Sequence, residues 1–215
     1  MTPGEVEEGW VEHGLAAELP GLGVVWLDVA APAGGRTPRA LRDRLRARAD
    51  RYTGARALTM RREAVPSAYR ALYRQVGLDP EVDRPPVEAA VVDRLRDGGF
   101  VSRGHLGDAL LLGGLETGVA LWALDAARAL GPLGLRSAHA GERLGEGDLA
   151  PDLPAGRLVV ADADAPVAIL FGAVASTVAP GPVTRRLRVF AVRVPGVSDL
   201  HVEEALWTCA EALAG

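Results

Sequence analysis

The apolar positions of this chain form mostly helix-like segments up to residue 115 and mostly strand-like segments after it. Residues 21–29, GLGVVWLDV, are rich in β-branched and aromatic residues and are bounded by glycine and proline, which predicts a buried strand. Helices are predicted over residues 39–52, 67–75, 86–97 and 199–214, with a further apolar segment over 105–115. Short strands separated by glycine are predicted at 133–137, 157–161, 167–172 and 186–194.

The order of these elements, helices first and strands later, favours an α+β fold over a doubly wound sheet. We expect a single domain over residues 1–215, with a central, mainly antiparallel or mixed sheet flanked by helices. Residues 1–62 are expected to supply an N-terminal strand and an arginine-rich helix, and residues 63–215 the core. The length of the chain is sufficient for one large core.

Several helix ends are marked by residues that favour them. Thr37 and Pro38 are suited to the N-cap and first position of the helix that follows. Ser67 and Asp199 are predicted N-caps of two further helices. Pro86 opens another helix, and Glu88 lies in its first turn, where the helix dipole favours an acid.

Charge is distributed unevenly along the chain. All 24 basic residues are arginine; residues 36–62 contain ten of them against two aspartates, whereas residues 1–35 contain six acids and no base. Helix 39–52 would present several arginines in succession and could contact the phosphates of a tRNA-sized polyanion. The alternative is a solvated helix whose charge offsets the acidic ends and contacts Glu5, Glu7 and Glu8 of the same chain.

Several classes of protein and site are not indicated. No apolar run is long enough for a membrane span, the N-terminus does not resemble a secretory signal, and the single cysteine, Cys209, cannot form an internal disulfide, so we expect a cytoplasmic protein. Phosphate loops, nucleophile motifs and metal-ligand spacings are absent from the sequence, so we expect no cofactor and no metal. An enzyme of this sequence would act through bound water.

Acidic residues in apolar surroundings are the strongest candidates for chemistry. Glu116, Asp125, Glu142 and Asp162 each follow or end an apolar stretch. A carboxylate in apolar surroundings either is held ionised by hydrogen bonds or a cation, or has a raised pKa because burial disfavours its charge. Active sites use carboxylates of both kinds. The alternative is structural, with Asp125 and Asp162 capping turns and Glu142 tightening a turn after Gly141.

Six motifs in a particular order resemble a known family. They are Gly77-Leu78-Asp79-Pro80, Arg84-Pro85-Pro86-x-Glu88-Ala89, Gly107-Asp108, Asp125, Arg136-x-Ala138-x-x-Gly141-Glu142 and Val159-x-x-Asp162, followed by the strand after Thr184. In this order they resemble the B3/B4 domain of the phenylalanyl-tRNA synthetase beta subunit, most of all its free-standing bacterial relatives. The resemblance covers residues 67–195, about 60% of the chain.

This resemblance implies an α+β domain with a pocket for an amino acid linked to tRNA. In the synthetase the domain hydrolyses tyrosine wrongly attached to phenylalanine tRNA, a discrimination that a polar editing pocket provides. By that resemblance the chain is expected to interact with tRNA and to hydrolyse mischarged aminoacyl-tRNA in trans. It has no aminoacylation motifs, so we expect no synthetase activity, and we expect neither membrane association nor DNA binding. The expected groups are Glu116 and Glu142 positioning water and Thr117, Asp125, His139 and Gly141 at the substrate. The arginine-rich segment lies outside the matched residues, and its charge leads us to expect Arg42, Arg46 and Arg61 at tRNA phosphates.

The sequence also supports a second interpretation. Where synthetases often have a Gly-Gly-Glu turn near the pocket, this chain has Gly172-Ala173-Val174, which lacks the acid. Loss of that acid favours a non-catalytic module that binds an amino-acid-like small molecule. The Gly141-Glu142 pair and the arginine-rich segment favour the tRNA interpretation.

Overall fold

The structure, a computed structural model, describes residues 4–32 and 34–215. Contacts between Cα atoms divide the chain into two compact units. The first, here called the sheet unit, comprises the described residues of Met1–Ala31 together with Trp122–Pro195. The second, the helical unit, comprises those of Pro32–Leu121 together with Gly196–Gly215. Each unit therefore draws on residues from both sides of position 62, and the predicted single domain remains a prediction.

The sheet unit contains one short helix and two four-stranded sheets. Its elements are β1 (Glu7–Glu8), β2 (Trp10–Val11), α1 (His13–Glu18), β3 (Gly23–Ala30), β4 (Leu121–Asp125), β5 (Gly134–Ser137), β6 (Leu158–Ala161), β7 (Pro166–Ile169) and β8 (Arg186–Arg193). The strand orders are β1-β3-β8-β4 and β2-β5-β6-β7. All pairs with a defined register are antiparallel except β2 with β5, which is parallel, so the second sheet is mixed.

The pair β3 and β8 forms the centre of the first sheet. The two strands are antiparallel from Gly23 opposite Arg193 to Ala30 opposite Arg186. Val24, Val25 and Trp26, which help to predict β3, are buried, as expected of a central strand. In the second sheet Gly134 lies against the Trp10 ring, and a Cβ at Gly134 would overlap that ring, so the close approach of β2 to β5 requires glycine.

The helical unit contains six helices. They are α2 (Arg39–Ala49), α3 (Gly54–Met60), α4 (Ala64–Gln75), α5 (Pro86–Asp97), α6 (Gly104–Thr117) and α7 (Asp199–Ala214). The apolar helix α6 packs along α7, where Gly113 allows close contact because an added Cβ would lie 2.9 Å from the Ala205 carbonyl oxygen. The His105 ring Nε2 lies 2.8 Å from the Ala212 carbonyl oxygen and joins the same two helices.

The predicted α+β class with mainly antiparallel or mixed pairing is confirmed, and the predicted central sheet is found as two sheets. The bounds Pro86–Asp97 and Asp199–Ala214 are confirmed, although the side chain that caps α7 is Ser198, not Asp199. Helix α4 begins at Ala64, so Ser67 lies inside the helix and is not its N-cap. Pro66 did not prevent this earlier start, because a first-turn residue needs no N–H donor.

Within the described residues, the helices are all too short or too polar to cross a membrane.

Candidate anion-binding surface

The arginines of α2 lie in two rows on either side of a buried stripe. Leu41, Leu45 and Ala49 recur every four residues and face the interior of the helical unit. At 100° per residue, Arg44 and Arg48 fall on one side of this stripe and Arg42 and Arg46 on the other. The sequence therefore directs positive charge along both flanks of one helix.

The row that contains Arg48 borders a cavity of about 490 Å³ within the helical unit. Its walls carry Arg48, Arg51, Arg56 and His201, together with the acids Glu63 and Glu116. Tyr52 lies in the same wall, and its hydroxyl donates a hydrogen bond of 3.0 Å to the Leu115 carbonyl. Burial raises the pKa of Tyr52, so this hydroxyl is neutral at physiological pH. The cavity thus offers both signs of charge, with arginine in excess.

Most of the cations at this cavity already have carboxylate partners. Glu116 lies 3.3 Å from Arg44 and 3.1 Å from Arg48, and Arg56 lies 2.6 Å from Glu63. Arg51 is exposed and has no ion pair with any described residue. Arg51 is therefore the cation most available to an anionic ligand at this cavity.

The other row borders a second cavity of about 460 Å³, whose walls include Arg42, Arg46 and Arg94. Arg46 is highly exposed and lies 3.3 Å from Asp43, an arrangement that contributes little to stability. Arg42 is exposed and has no ion pair in the part of the chain that the structure describes. Both residues are accessible, as a contact with tRNA phosphates would require.

Arg61, the third predicted tRNA contact, belongs to a buried ionic cluster, here called the Glu88 cluster. Its Nε lies 2.8 Å from Glu88, its Nη1 lies 3.1 Å from Glu81, and Arg70 contacts both acids. Burial lowers the pKa of Arg70, but the hydrogen bond and charge of Glu88, with those of Glu81, outweigh burial and raise it overall. The phosphate role of Arg61 remains a prediction, and these contacts disfavour it.

Glu142 of the sheet unit is held by a neighbouring arginine. The Arg136 guanidinium donates two hydrogen bonds to its carboxylate, of 2.7 and 2.6 Å, and the His139 backbone N–H donates a third of 2.7 Å. The hydrogen bond from Arg136 is the main reason that the pKa of Glu142 falls from 4.5 to about 2, against the opposing effect of partial burial. Such a carboxylate is ionised at neutral pH and is a weak general base.

The turn around Glu142 brings two other predicted residues to the same place. Gly141 has a φ of +84°, a left-handed conformation that favours glycine and lets the chain reverse between His139 and Glu142. The exposed His139 ring has its Nδ1 3.6 Å from the Glu142 carboxylate. The predicted group His139, Gly141 and Glu142 is therefore local, and its carboxylate faces Arg136.

Asp125 and Thr117 are engaged in local structure. Asp125 accepts hydrogen bonds from the Thr184 hydroxyl at 2.7 Å and from the Ala127 N–H at 3.0 Å, as a turn cap does. The Thr117 hydroxyl donates to the Gly113 carbonyl at 2.8 Å at the end of α6. Both side chains are buried, and their predicted substrate contacts remain predictions.

The predicted site residues are divided between the two units. Glu116, Thr117 and the three arginines belong to the helical unit, whereas Asp125, His139, Gly141 and Glu142 belong to the sheet unit. Three arginines near these cavities and Glu142 were not among the predicted site residues: Arg51, Arg94 and Arg136. Arg51 lies in the arginine-rich segment 36–62, and Arg136 begins the motif that ends at Glu142. Which groups these arginines contact depends on tertiary packing, which the sequence does not show.

Metal ligands are not clustered in this structure: among residues 4–32 and 34–215, no three His, Cys, Asp or Glu side chains are placed to hold an ion together. Burial raises the pKa of the lone cysteine, Cys209, to about 12, so its thiol is neutral and inert. Comparison of the chain with models of known protein families finds no match, and comparison with curated proteins also finds none.

Proposed function

We propose that this protein binds tRNA through the two arginine rows of α2 and the adjoining Arg51. The observation that carries the proposal is that Arg42 and Arg51, one beside each cavity, are exposed and have no ion pair among the described residues. An arginine guanidinium donates paired hydrogen bonds to phosphate oxygens, and each neutralised phosphate releases counterions. The resemblance to the synthetase editing domain supports tRNA as the polyanion.

Hydrolysis of mischarged aminoacyl-tRNA in trans is supported by that resemblance alone. A general base works best with a pKa near the working pH, and Glu142 is far below it. Glu116 is the better candidate for holding water, because it lines the first cavity beside Arg51. We therefore propose binding as the primary function and Glu116 as the residue on which any hydrolysis depends.

A second candidate function is the binding of an amino-acid-like small molecule in the first cavity. A zwitterion needs an anion for its ammonium group and a cation for its carboxylate. Glu63 and Glu116 supply the first and Arg51 the second within one cavity of about 490 Å³. That volume lies in the range usual for small-molecule sites.

Fluorescence anisotropy with labelled tRNA over a range of salt concentrations tests the primary proposal. In Arg42→Ala/Arg46→Ala/Arg51→Ala we expect affinity to fall about tenfold or more, and the slope of log K against log salt to decrease by about 2 to 3. The matched control, Arg84→Ala/Arg157→Ala/Arg185→Ala, removes the same charge outside α2. An equal loss of affinity in the two variants would show a non-specific charge effect and contradict the proposal.

Two further measurements separate the other activities. Hydrolysis of a panel of mischarged tRNAs faster than their spontaneous rate, with loss of this activity in Glu116→Gln, would establish a deacylase. Calorimetric titration with free amino acids, compared between the native protein and Arg51→Ala, tests the small-molecule site. No heat of binding with any amino acid at millimolar concentration would reject that second candidate.

A further inference from the structure

The second cavity of the helical unit combines three arginines with an aromatic wall. Its volume of about 460 Å³ is adequate for a nucleotide-sized molecule, and its walls include Arg42, Arg46, Arg94, Phe100 and Ser102. Nothing in the predicted tRNA contact through Arg42 and Arg46 requires a concave site or an aromatic ring there. The combination of arginines with an aromatic ring in this wall therefore indicates a ligand other than the tRNA backbone alone.

The acids at this cavity do not neutralise its arginines. Asp108 is buried and accepts hydrogen bonds from the Thr37 hydroxyl at 2.6 Å, the Ser102 hydroxyl at 2.6 Å and the Arg103 N–H at 2.9 Å. Asp50, the other acid in the wall, is exposed to solvent and has no ion pair with any described residue. Three arginines therefore face the cavity with no carboxylate of its wall bound to them.

Arg94 provides an unsatisfied donor. Its Nη1 donates to the Tyr52 carbonyl at 3.1 Å, which fixes the direction of the guanidinium. Its Nε is buried and has no hydrogen-bond partner among the described residues. A buried guanidinium N–H without an acceptor is costly, so this guanidinium is incompletely satisfied within the protein. Arg94 lies in the cavity wall, where a guanidinium can donate to an oxyanion.

Phe100 provides a rigid apolar surface beside these cations. Its ring packs edge-on against Tyr52, with centroids 6.3 Å apart and planes at 81°. Leu45 and Ala49 of α2 add apolar area to the same wall. An aromatic face held in this way can stack on a planar ring, as in many sites that bind single-stranded nucleic acid.

We infer that this cavity binds a nucleoside monophosphate unit, with the phosphate at Arg42 and Arg94 and the base against Phe100. This nucleotide could come from two sources with the same chemistry: a free mononucleotide, or an unpaired nucleotide of a bound RNA. The second source rests on the proposed tRNA-binding function, whereas the first is independent of it.

Calorimetric titration with AMP, CMP, GMP and UMP, each compared with adenosine and inorganic phosphate, tests the free-nucleotide source. We expect at least one monophosphate to bind at least tenfold more tightly than adenosine and phosphate. Phe100→Leu should weaken this binding at least fivefold and Arg42→Ala about tenfold, whereas the control Arg84→Ala should leave it unchanged. Because Arg42 is exposed and has no ion pair with the residues that the structure describes, its variant tests the site even where Phe100→Leu perturbs folding.

The RNA source is tested by the effect of Phe100→Leu on tRNA affinity. A loss of at least fivefold with an unchanged salt slope would show that an RNA base occupies the cavity, because no phosphate contact is removed. Nucleotide binding without tRNA binding would overturn the proposed function and support this inference. No preference for a nucleotide over phosphate, together with unchanged tRNA affinity in Phe100→Leu, would overturn the inference.

Discussion

The Glu88 cluster and the Arg136–Glu142 pair use the same residue types at different depths. Glu88 has 2% of its side chain exposed and Arg70 has 7%, whereas Glu142 and Arg136 have 21% and 13%. In both places an arginine makes two hydrogen bonds to one glutamate. Only in the first does a second arginine, Arg61, also lie within ion-pair distance of the same glutamate.

This difference in depth determines what each pair contributes. Ionic groups removed from water lose hydration that only a complete set of partners replaces, so loss of one partner in the Glu88 cluster leaves buried charges without compensation. At Glu142, water can replace part of the interaction. We expect the first cluster to maintain the packing of α5 and the second to shape a surface turn.

The largest effect is expected for Glu88→Gln. The substitution removes the buried carboxylate that Arg61 and Arg70 share and leaves them only Glu81, whose side chain is mostly exposed. We expect the free energy of unfolding to fall by about 3 to 5 kcal/mol. Urea denaturation followed by circular dichroism measures it. Asp93→Asn, at a more exposed ion pair of α5 with Arg96, is the control and should change stability by less than about 0.5 kcal/mol. If Glu88→Gln and Asp93→Asn lowered the free energy of unfolding equally, the burial of the ionic contact would not determine its contribution to stability.

An intermediate and pH-dependent effect is expected for Glu142→Gln. At pH 7 it should lower the free energy of unfolding by about 1 to 2 kcal/mol, allowing for solvent screening. Because the pKa of Glu142 is lowered from 4.5 to about 2, its stabilisation is complete above pH 4.5 and is lost as the pH falls towards 2. Urea titrations at several pH values should show the two proteins converging over this range. If the difference in free energy of unfolding between the native protein and Glu142→Gln stayed constant with pH, the lowered pKa of Glu142 would be contradicted.

The smallest effect on stability is expected for Glu116→Gln, whose native side chain is 20% exposed. We expect a change in the free energy of unfolding of less than about 1 kcal/mol. Releasing Arg44 and Arg48 from their partner should, however, strengthen tRNA binding about threefold at low salt. Anisotropy of labelled tRNA measures this gain, and Asp43→Asn on the opposite row is the comparison. Weaker binding in Glu116→Gln would show that this acid contacts the ligand directly.

The fold was more accessible from the sequence than the site was. Residues 86–97 and 199–214 were predicted with the observed bounds, because proline at a helix start and glycine after a helix end are local signals. Strand β4 and helix α3 were not predicted. The first continues the apolar run of the preceding segment, and the second has only two buried residues, Ala57 and Met60. Neither has a periodicity that would separate it from its neighbours.

The candidate carboxylates show why the site was harder to predict. Apolar surroundings marked Glu116, Asp125 and Glu142 as candidates, but the neighbouring sequence does not show which partners satisfy each one. Glu116 pairs with Arg44 and Arg48, about 70 residues away along the chain, and Asp125 accepts a hydrogen bond from Thr184. Arg61 was grouped with the exposed arginines of its segment, whereas packing placed it against Glu88.

The sequence alone determined the α+β class, several helix ends and the concentration of arginine between residues 36 and 62, because these depend on local propensity, periodicity and composition. Only the tertiary structure decided which of those arginines are neutralised, as Arg61 is, and which remain open, as Arg42 and Arg51 are. The physical reason is that the strength of an ionic contact depends on distance and on exposure to water. Both quantities are set by residues distant in sequence.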